Sequence, residues 1–453
     1  MDRRIAALFA ASFAVFMLAF VLRHYYFGIS EIVGTPTFYH TRIAESILDG
    51  VYYDDLSFGG RPLTYAPLFP LFHALSAAAF GLNLGGMLFV ALSGAAGMCF
   101  SYAFLKKYIR NGVSILVLLL LPGTVFLYSH ISTRAVPITL GIASLYLLSE
   151  RRHFISGIML GISYLFHPEA GAVFSIIVAL YILLERKESP KNIAKIALPA
   201  AIIALVWYAP FIVQNGLPEY NLLHGEYRER RYSLESPSAE NFLWELGKGY
   251  LTVPVLALSV IGLYYSRNNF FRLWFVFCLV LALAAERFFF YLLFPASFIS
   301  SFGIEKIKSL VKRKHIYVII IASILVYSAY FGLSRSAALA EDYPIRQQID
   351  AFHWIRDNTP PDAVILSDWQ WGHWISGIAK RRNFVDGYAE YAPSVNKRIS
   401  ELREFYATCR IPEGYGISYV YMEDWFAGKY GISCLGEFEK VYDNAGISIY
   451  KAS

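Results

Sequence analysis

Residues 1 to about 333 form a series of long apolar runs, which short polar connectors separate. A helix of about 20 apolar residues crosses the hydrocarbon core of a bilayer, with a working range of about 17–25. Only 16% of the residues are charged, whereas about 25% are charged in a typical soluble domain. The sequence therefore predicts an α-helical polytopic membrane protein. The predicted spans are 5–22, 84–105, 112–128, 136–149, 154–166, 170–184, 196–213, 249–265, 271–285, 288–304 and 315–333.

Lys and Arg are concentrated in alternate connectors, and this pattern predicts the orientation, because short cytoplasmic loops carry an excess of these residues. All basic connectors are cytoplasmic only if 66–82, which contains Pro67 and Pro70, does not cross. The chain then has eleven spans in the plasma membrane, a cytoplasmic N-terminus and an extracytoplasmic C-terminus. The basic connectors are 106–110, 151–152, 186–195, 267–272 and 306–314. The outer segments are 23–83, 129–135, 167–169, 214–248, 286–287 and 334–453.

The sequence changes character after about residue 333. We predict a transmembrane domain over 1–333 and a small extracytoplasmic α/β domain over 334–453. An amphipathic pattern with a proline stop predicts one helix, and short apolar runs between turn residues predict strands. The predicted elements are a helix at 350–356, buried strands at 363–366 and 418–422, and a terminal hairpin formed by 440–442 and 447–450.

The four cysteines fall into two classes. Cys99 and Cys278 lie in apolar runs and are predicted to be inert packing residues. Cys409 and Cys434 lie in the polar C-terminal part, and they could form a disulfide if that part faces an oxidising compartment.

Titratable side chains lie at the outer ends of the predicted spans, and almost none lies at mid-depth. Charge inside a bilayer is costly and is retained for function, so this distribution favours a site at the outer face and disfavours an ion-coupled transporter. Soluble nucleotide donors are scarce outside the cytoplasm, so a transferase there usually uses a lipid-linked donor. An arginine at a helix end suits the donor phosphate, because it stays charged and can bind two oxygens. The small net charge of +6 reflects orientation and indicates no nucleic-acid partner.

Four short motifs follow one another in an informative order. The first outer segment contains Phe38-Tyr39-His40-Thr41-Arg42 and Tyr65-Ala66-Pro67-Leu68. Glu286-Arg287-Phe288, followed by Pro295, lies at a span end, and Asp368-Trp369-Gln370-Trp371-Gly372 opens an aromatic run in the C-terminal part. In this order the motifs resemble the glycosyltransferase C superfamily, most closely the archaeal and bacterial oligosaccharyltransferase catalytic subunits. The last motif is similar to the WWDYG motif of that family.

The resemblance implies a membrane glycosyltransferase with a GT-C-like fold and a role in protein glycosylation. It would transfer a sugar or glycan from a polyprenyl-phosphate-linked donor to an acceptor protein or glycan at the outer face. The resemblance assigns binding of the donor phosphate to Arg287, helped by Arg42, His40 and Arg134. It assigns the acceptor to Trp369, Gln370 and Trp371.

The sequence departs from the family where carboxylates are expected. The metal-binding Asp should precede Phe38, but residues 34–37 contain no acid, and the acidic pair expected after Arg134 is replaced by 135–139. Divalent cations usually require several oxygen ligands, including carboxylates, so the cofactor is unknown and a metal is left open. Gln370 replaces an acid, which leaves sequon reading open. The candidate bases for activating an acceptor hydroxyl are Glu31, Asp54 and Asp55.

Each candidate also has a structural alternative. The candidate acids could simply face water, Arg42 could pair with Glu45, and Arg287 with Glu286. The tryptophans could anchor the outer domain on the membrane. His167-Pro168-Glu169 suits the first turn of a helix.

Two other functions remain open at this level: a noncatalytic homologue that binds lipid-linked sugar or a partner enzyme, and a lipid or sugar transporter. The enzyme and the binding homologue differ in whether a carboxylate faces Arg287 across a cavity at membrane level. A transporter requires a polar path through the spans, which the charge-poor helices argue against.

Overall fold

The computed structural model describes residues 3–27, 35–63, 65–109, 112–216, 245–338, 344–388 and 391–452. Helices make up the part before residue 338, and each predicted span overlaps one or two of them. These helices are α1 Arg3–Phe27, α2 Thr35–Leu48, α3 Leu68–Phe80, α4 Leu82–Leu105, α5 Val113–Leu120, α6 Pro122–Tyr128, α7 Ala135–Ser149, α8 His153–Phe166, α9 Pro168–Tyr181, α10 Pro190–Asn215, α11 Val253–Tyr265, α12 Asn269–Ala284, α13 Phe289–Leu310 and α14 Lys314–Ala338.

Length and composition identify six helices among the described residues that could cross a membrane. They are Arg3–Tyr25, Leu82–Leu105, Pro168–Arg186, Pro190–Asn215, Glu286–Leu310 and Lys314–Ser334. The remaining predicted spans are shorter apolar helices, or a helix pair in the case of 112–128. That span is broken because Leu121 is extended and Pro122 starts a new helix, a position that proline favours since it has no N–H to donate.

The segment that we predict not to cross, 66–82, forms α3. Gly81, which has a positive φ of 79°, joins α3 to α4. A Cβ on Gly85 would lie 2.5 Å from the carbonyl oxygen of Ser76, so α3 packs closely against the start of α4. Glycines also allow close packing deeper in the bundle, where a Cβ on Gly303 would clash with the backbone of Leu258.

The C-terminal part contains a five-stranded sheet in the order β2-β1-β3-β5-β4. The strand β1 pairs in parallel with β2 and β3, and β5 pairs antiparallel with β3 and β4. The predicted helix and strands are all present, and β2 is an addition. The elements are α15 Arg346–Asn358, β1 Val364–Leu366, α16 Trp369–Trp374, β2 Arg382–Asn383, α17 Val395–Thr408, β3 Ile417–Glu423, α18 Asp424–Tyr430, β4 Glu439–Asn444 and β5 Ile447–Lys451.

The cysteine pairing is confirmed. Cys409, at the end of α17, forms a disulfide with Cys434, and their Cα atoms are 5.9 Å apart. Cys99 and Cys278 are free, and Cys278 is buried.

The connectors divide between the two ends of the helix bundle. At one end the basic connectors meet: Lys107 pairs with Glu150, and Arg186 donates to the carbonyl of Ser149. At the other end, the first outer segment packs against the C-terminal part, and Phe38 and Phe58 belong to the core of that part. This grouping follows the predicted alternation of connectors. The cytoplasmic assignment of the basic end stays a prediction.

Candidate functional site

Two groups of charged side chains lie at the bundle end that carries the C-terminal part. We call the first the buried charge network; it consists of Arg42, Asp54, Arg61 and Asp386. Arg42 donates to Asp54 at 2.6 Å, and the Arg61 guanidinium lies 3.5 Å from Asp54 and 3.6 Å from Asp386. All four side chains are at most 2% exposed. The network is therefore closed to a ligand.

Local structure explains how the network forms. Helix α2 presents Arg42, and two backbone hydrogen bonds hold Asp54 opposite Arg61 across a tight loop. Asp386 accepts hydrogen bonds from the Ser57 hydroxyl and from the backbone N–H of Tyr388. Burial opposes ionisation of Asp386, but His373, Arg61 and Ser57 together lower the pKa of its carboxyl below the ordinary value. The network thus joins the first outer segment to the C-terminal part through ionised groups.

This placement bears directly on two predicted site residues. The oxygens of Asp54 face Arg42 and Arg61. Asp54 is therefore inaccessible to an acceptor, and Arg42 is inaccessible to a phosphate. Arg42 is paired with Asp54, whereas Glu45 is paired with Lys380. Asp55 is exposed. Glu31 lies outside the described residues, as does most of the predicted outer segment 214–248.

The second group, which we call the open cluster, consists of Arg134, Glu169, Arg287 and Tyr291. The Nε atom of Arg134 lies 3.6 Å from one carboxylate oxygen of Glu169, and Nε of Arg287 lies 3.2 Å from the other. The Tyr291 hydroxyl donates to Glu169 at 3.2 Å. The three charged side chains are 21–33% exposed. The three charged side chains are thus more exposed than those of the buried network, whereas Tyr291 and the two Nε atoms are buried.

Helix ends build the open cluster. Pro168 begins α9, which places Glu169 in its first turn, where the helix dipole favours an acid. Arg134 immediately precedes α7, and Arg287 lies in a short 3₁₀ turn, Glu286–Phe288, before α13. Residues far apart in sequence thus meet at one carboxylate. Two guanidinium groups that converge on one anion can also bind a phosphate, with which arginine makes bidentate charge-assisted hydrogen bonds.

Aromatic and imidazole rings connect the open cluster with the buried network. The Tyr65 hydroxyl shares a hydrogen bond of 2.9 Å with Thr133, the neighbour of Arg134, and the Tyr65 ring lies 5.9 Å from that of His167. His40 is buried beneath these rings, and its Nε2 lies 3.3 Å from the Tyr388 hydroxyl. His40 thus contributes to the wall between the two groups of charges.

The residues assigned to the acceptor differ in accessibility. Trp371 is 2% exposed and packs edge-on against Tyr421 and Phe426 in the core of the C-terminal part. A side chain buried in this way supports the fold and offers no face for stacking on an acceptor. Trp369 and Gln370 are half-buried, and each retains some exposed surface.

The described residues contain no group of three or more His, Cys, Asp or Glu side chains that could hold a metal ion.

The carboxylate at the centre of the open cluster, Glu169, is absent from the acids predicted as bases. Its sequence context, Pro168 followed by an acid, is typical of the start of a helix. The sequence alone therefore favoured a structural role for Glu169. The available signal was its position in a short outer segment between connectors that carry Arg134 and Arg287.

Similarity to known sequences is confined to one short stretch of the chain. No family model matches the chain. A stretch of 37 residues, 8% of this chain, is 46% identical to the dolichyl-diphosphooligosaccharide–protein glycosyltransferase subunit stt-3 of Caenorhabditis elegans. The match spans only 5% of that protein.

Solved structures are similar over almost the whole chain. Archaeoglobus fulgidus oligosaccharyltransferase, in complex with Zn and sulfate, is 15% identical with a TM-score of 0.67, covering 93% of this chain and 68% of that one. AglB from the same organism, in complex with an inhibitory peptide and a dolichol-phosphate, is 13% identical with a TM-score of 0.62. The match covers 99% of this chain and 74% of that one. ArnT from Cupriavidus metallidurans, bound to undecaprenyl phosphate, is 13% identical with a TM-score of 0.65. The match covers 100% of this chain and 98% of that one. The chain therefore has the GT-C membrane fold of these proteins.

Proposed function

We propose that the chain is an integral membrane glycosyltransferase that takes a sugar or glycan from a polyprenyl-phosphate-linked donor. The observation that carries this proposal is the open cluster, in which Arg134 and Arg287 reach one site from two different helix ends. Structural neighbours with the same fold contain dolichol-phosphate or undecaprenyl phosphate, which supports this class of donor.

The proposed reaction is a direct displacement at the anomeric carbon. An acceptor oxygen attacks this carbon while its bond to the phosphate oxygen breaks. Arg287 and Arg134 neutralise the charge that develops on the leaving phosphate, which is the effect expected of donors placed at a developing anion. The partly exposed aromatic ring of Phe288, beside Arg287, provides an apolar surface for the isoprenoid chain. His40 and Arg42 act indirectly, because they shape and support the wall of the site.

The site is proposed to face the extracytoplasmic side of the plasma membrane. The disulfide between Cys409 and Cys434 supports this, since such bonds persist in oxidising compartments. The basic connectors at the opposite end of the bundle support it as well. The acceptor is a protein or a glycan, and the exposed parts of Trp369 and Gln370 are its proposed contacts.

A noncatalytic homologue that binds lipid-linked sugar is the second candidate. The buried position of Asp54 favours it, because this predicted base is inaccessible. Glu169 favours the enzyme, because it places a partly exposed carboxylate 3.2 Å from Arg287.

Binding of undecaprenyl phosphate to the protein in nanodiscs tests the phosphate site. Arg287→Lys keeps the charge but loses the planar fork. Losing a charge-assisted hydrogen bond costs about 1.5–3 kcal/mol, so we expect affinity to fall about tenfold or more, at 1.4 kcal/mol per decade. Arg313→Lys, an equivalent change at an exposed residue of the basic end, is the matched control and should bind as wild type does. Equal affinity of Arg287→Lys and wild type would refute the site.

A further inference from the structure

The carboxylate of Glu169 lies at the position that we propose for the donor phosphate. One oxygen is near Arg134 and receives the hydroxyl hydrogen bond of Tyr291, and the other oxygen is near Arg287. An anionic side chain thus engages both guanidinium groups. The carboxylate occupies the Nε edge of each guanidinium group, so a phosphate takes these two edges only when the carboxylate moves aside.

Accessibility decides whether this arrangement can change. The side chains of these ion pairs keep 21–33% of their surface exposed, and partial hydration makes such pairs easier to separate than fully buried ones. The corresponding pairs of Asp54 are buried, and breaking them would leave an uncompensated charge in the interior. A phosphate can therefore displace Glu169 from its arginines, whereas it cannot displace Asp54.

We infer that Glu169 releases Arg134 and Arg287 to the donor phosphate and then accepts the proton of the acceptor. This inference rests on the proposed function. In the transfer step the acceptor O–H proton moves to the Glu169 carboxylate, and the acceptor oxygen forms a bond to the anomeric carbon. The bond between that carbon and the phosphate oxygen breaks, and its electron pair leaves with polyprenyl phosphate.

The geometry accounts for the timing of this role. Before the donor binds, the two arginines hold the carboxylate in their ion pairs. After the exchange, the carboxylate retains Tyr291 and lies beside the phosphate, close to the bond that must break. Donor binding thereby produces the base, and an acceptor is activated only when a donor is present.

The exchange predicts that removing the carboxylate charge improves phosphate binding. Undecaprenyl phosphate binding to Glu169→Gln in nanodiscs should be about fivefold tighter than to wild type, the scale set by partly exposed ion pairs. Glu45→Gln, which removes the same charge from a carboxylate paired with Lys380 outside the open cluster, is the matched control and should change affinity by less than about twofold. Weaker binding to Glu169→Gln would show that Glu169 only positions the arginines. An equal rise in the control would show a general charge effect. Either result overturns the inference.

The proton transfer is tested by the rate of sugar release from a panel of undecaprenyl-phosphate hexoses, with water and then peptide or glycan as acceptor. A general base contributes about 100-fold or more to the rate, so Glu169→Gln should lose at least that factor while binding the lipid phosphate more tightly. Retained turnover would overturn the base role and leave the proposed function intact. Wild type that binds no undecaprenyl phosphate and releases no sugar would refute both together.

Discussion

The buried charge network predicts a large loss of stability when Asp54 is neutralised. Asp54→Asn keeps the size of the side chain but leaves Arg42 without its anionic partner at 2.6 Å, in surroundings that are at most 2% exposed. Removing one partner of a buried ion pair costs about 3–5 kcal/mol in free energy of unfolding. Arg61 loses its 3.5 Å contact with Asp54 as well, although its contact with Asp386 remains. We therefore expect the upper half of that range.

The adjacent residue provides the control. Asp55→Asn makes the same chemical change at an exposed position, and surface substitutions of this kind usually change stability by less than about 0.5 kcal/mol. Thermal and denaturant unfolding of both purified variants, followed in detergent by tryptophan fluorescence, would measure the difference. Undecaprenyl phosphate binding at low temperature, where Asp54→Asn remains folded, should match wild type.

Two results would contradict this reasoning. Equal stability of the Asp54 and Asp55 variants would show that the ion pairs are not formed in the membrane protein. An Asp54→Asn variant that is stable, binds lipid phosphate and has lost transfer would instead make Asp54 the base, as the sequence suggested.

Two further predictions concern protonation and topology. Burial lowers the pKa of His373, although the charge of Asp386 opposes this shift. As the pH falls, the unfolded chain therefore takes up a proton at His373 before the folded protein does. The free energy of unfolding should decrease below a pH of about 6.5, by up to about 1.4 kcal/mol per pH unit. Denaturant unfolding from pH 7.5 to 5 should show this slope, and His373→Gln should flatten it; an unchanged slope would exclude His373 as its source. In intact cells, Arg313→Cys should resist an impermeant thiol reagent while Asp55→Cys reacts, and labelling of Arg313→Cys from outside would reverse the orientation.

The sequence predicts the helical part well, because crossing a bilayer imposes a length and a hydropathy that can be read locally. The break at Pro122 was not predicted, since both halves lie in one apolar run. In the sheet, β2 was missed because it has only two residues and forms by pairing with Val364 and Ile365. Such an element has no periodicity of its own.

The candidate site was predicted only in part, for a related reason. Arg287 and Arg134 were named because the motifs around them resemble those of a known family and each arginine lies at a span end, and both are local properties of the sequence. Their meeting at Glu169 depends on the packing of three helix ends, which the sequence does not display. The same holds for Ser57 and Asp386, which form a hydrogen bond although 329 positions separate them.

The two groups of charges show why residue type alone cannot locate the chemistry. Asp54 and Glu169 each lie between two arginines, and both belong to outer segments of the sequence. Asp54 has lost its hydration, so any ligand that took its arginines would have to compensate for a buried charge. Glu169 has kept part of its hydration, so exchange with a phosphate leaves no uncompensated charge in the interior. The accessible pair therefore has the properties of a binding site, and the buried pair those of an anchor between the first outer segment and the C-terminal part.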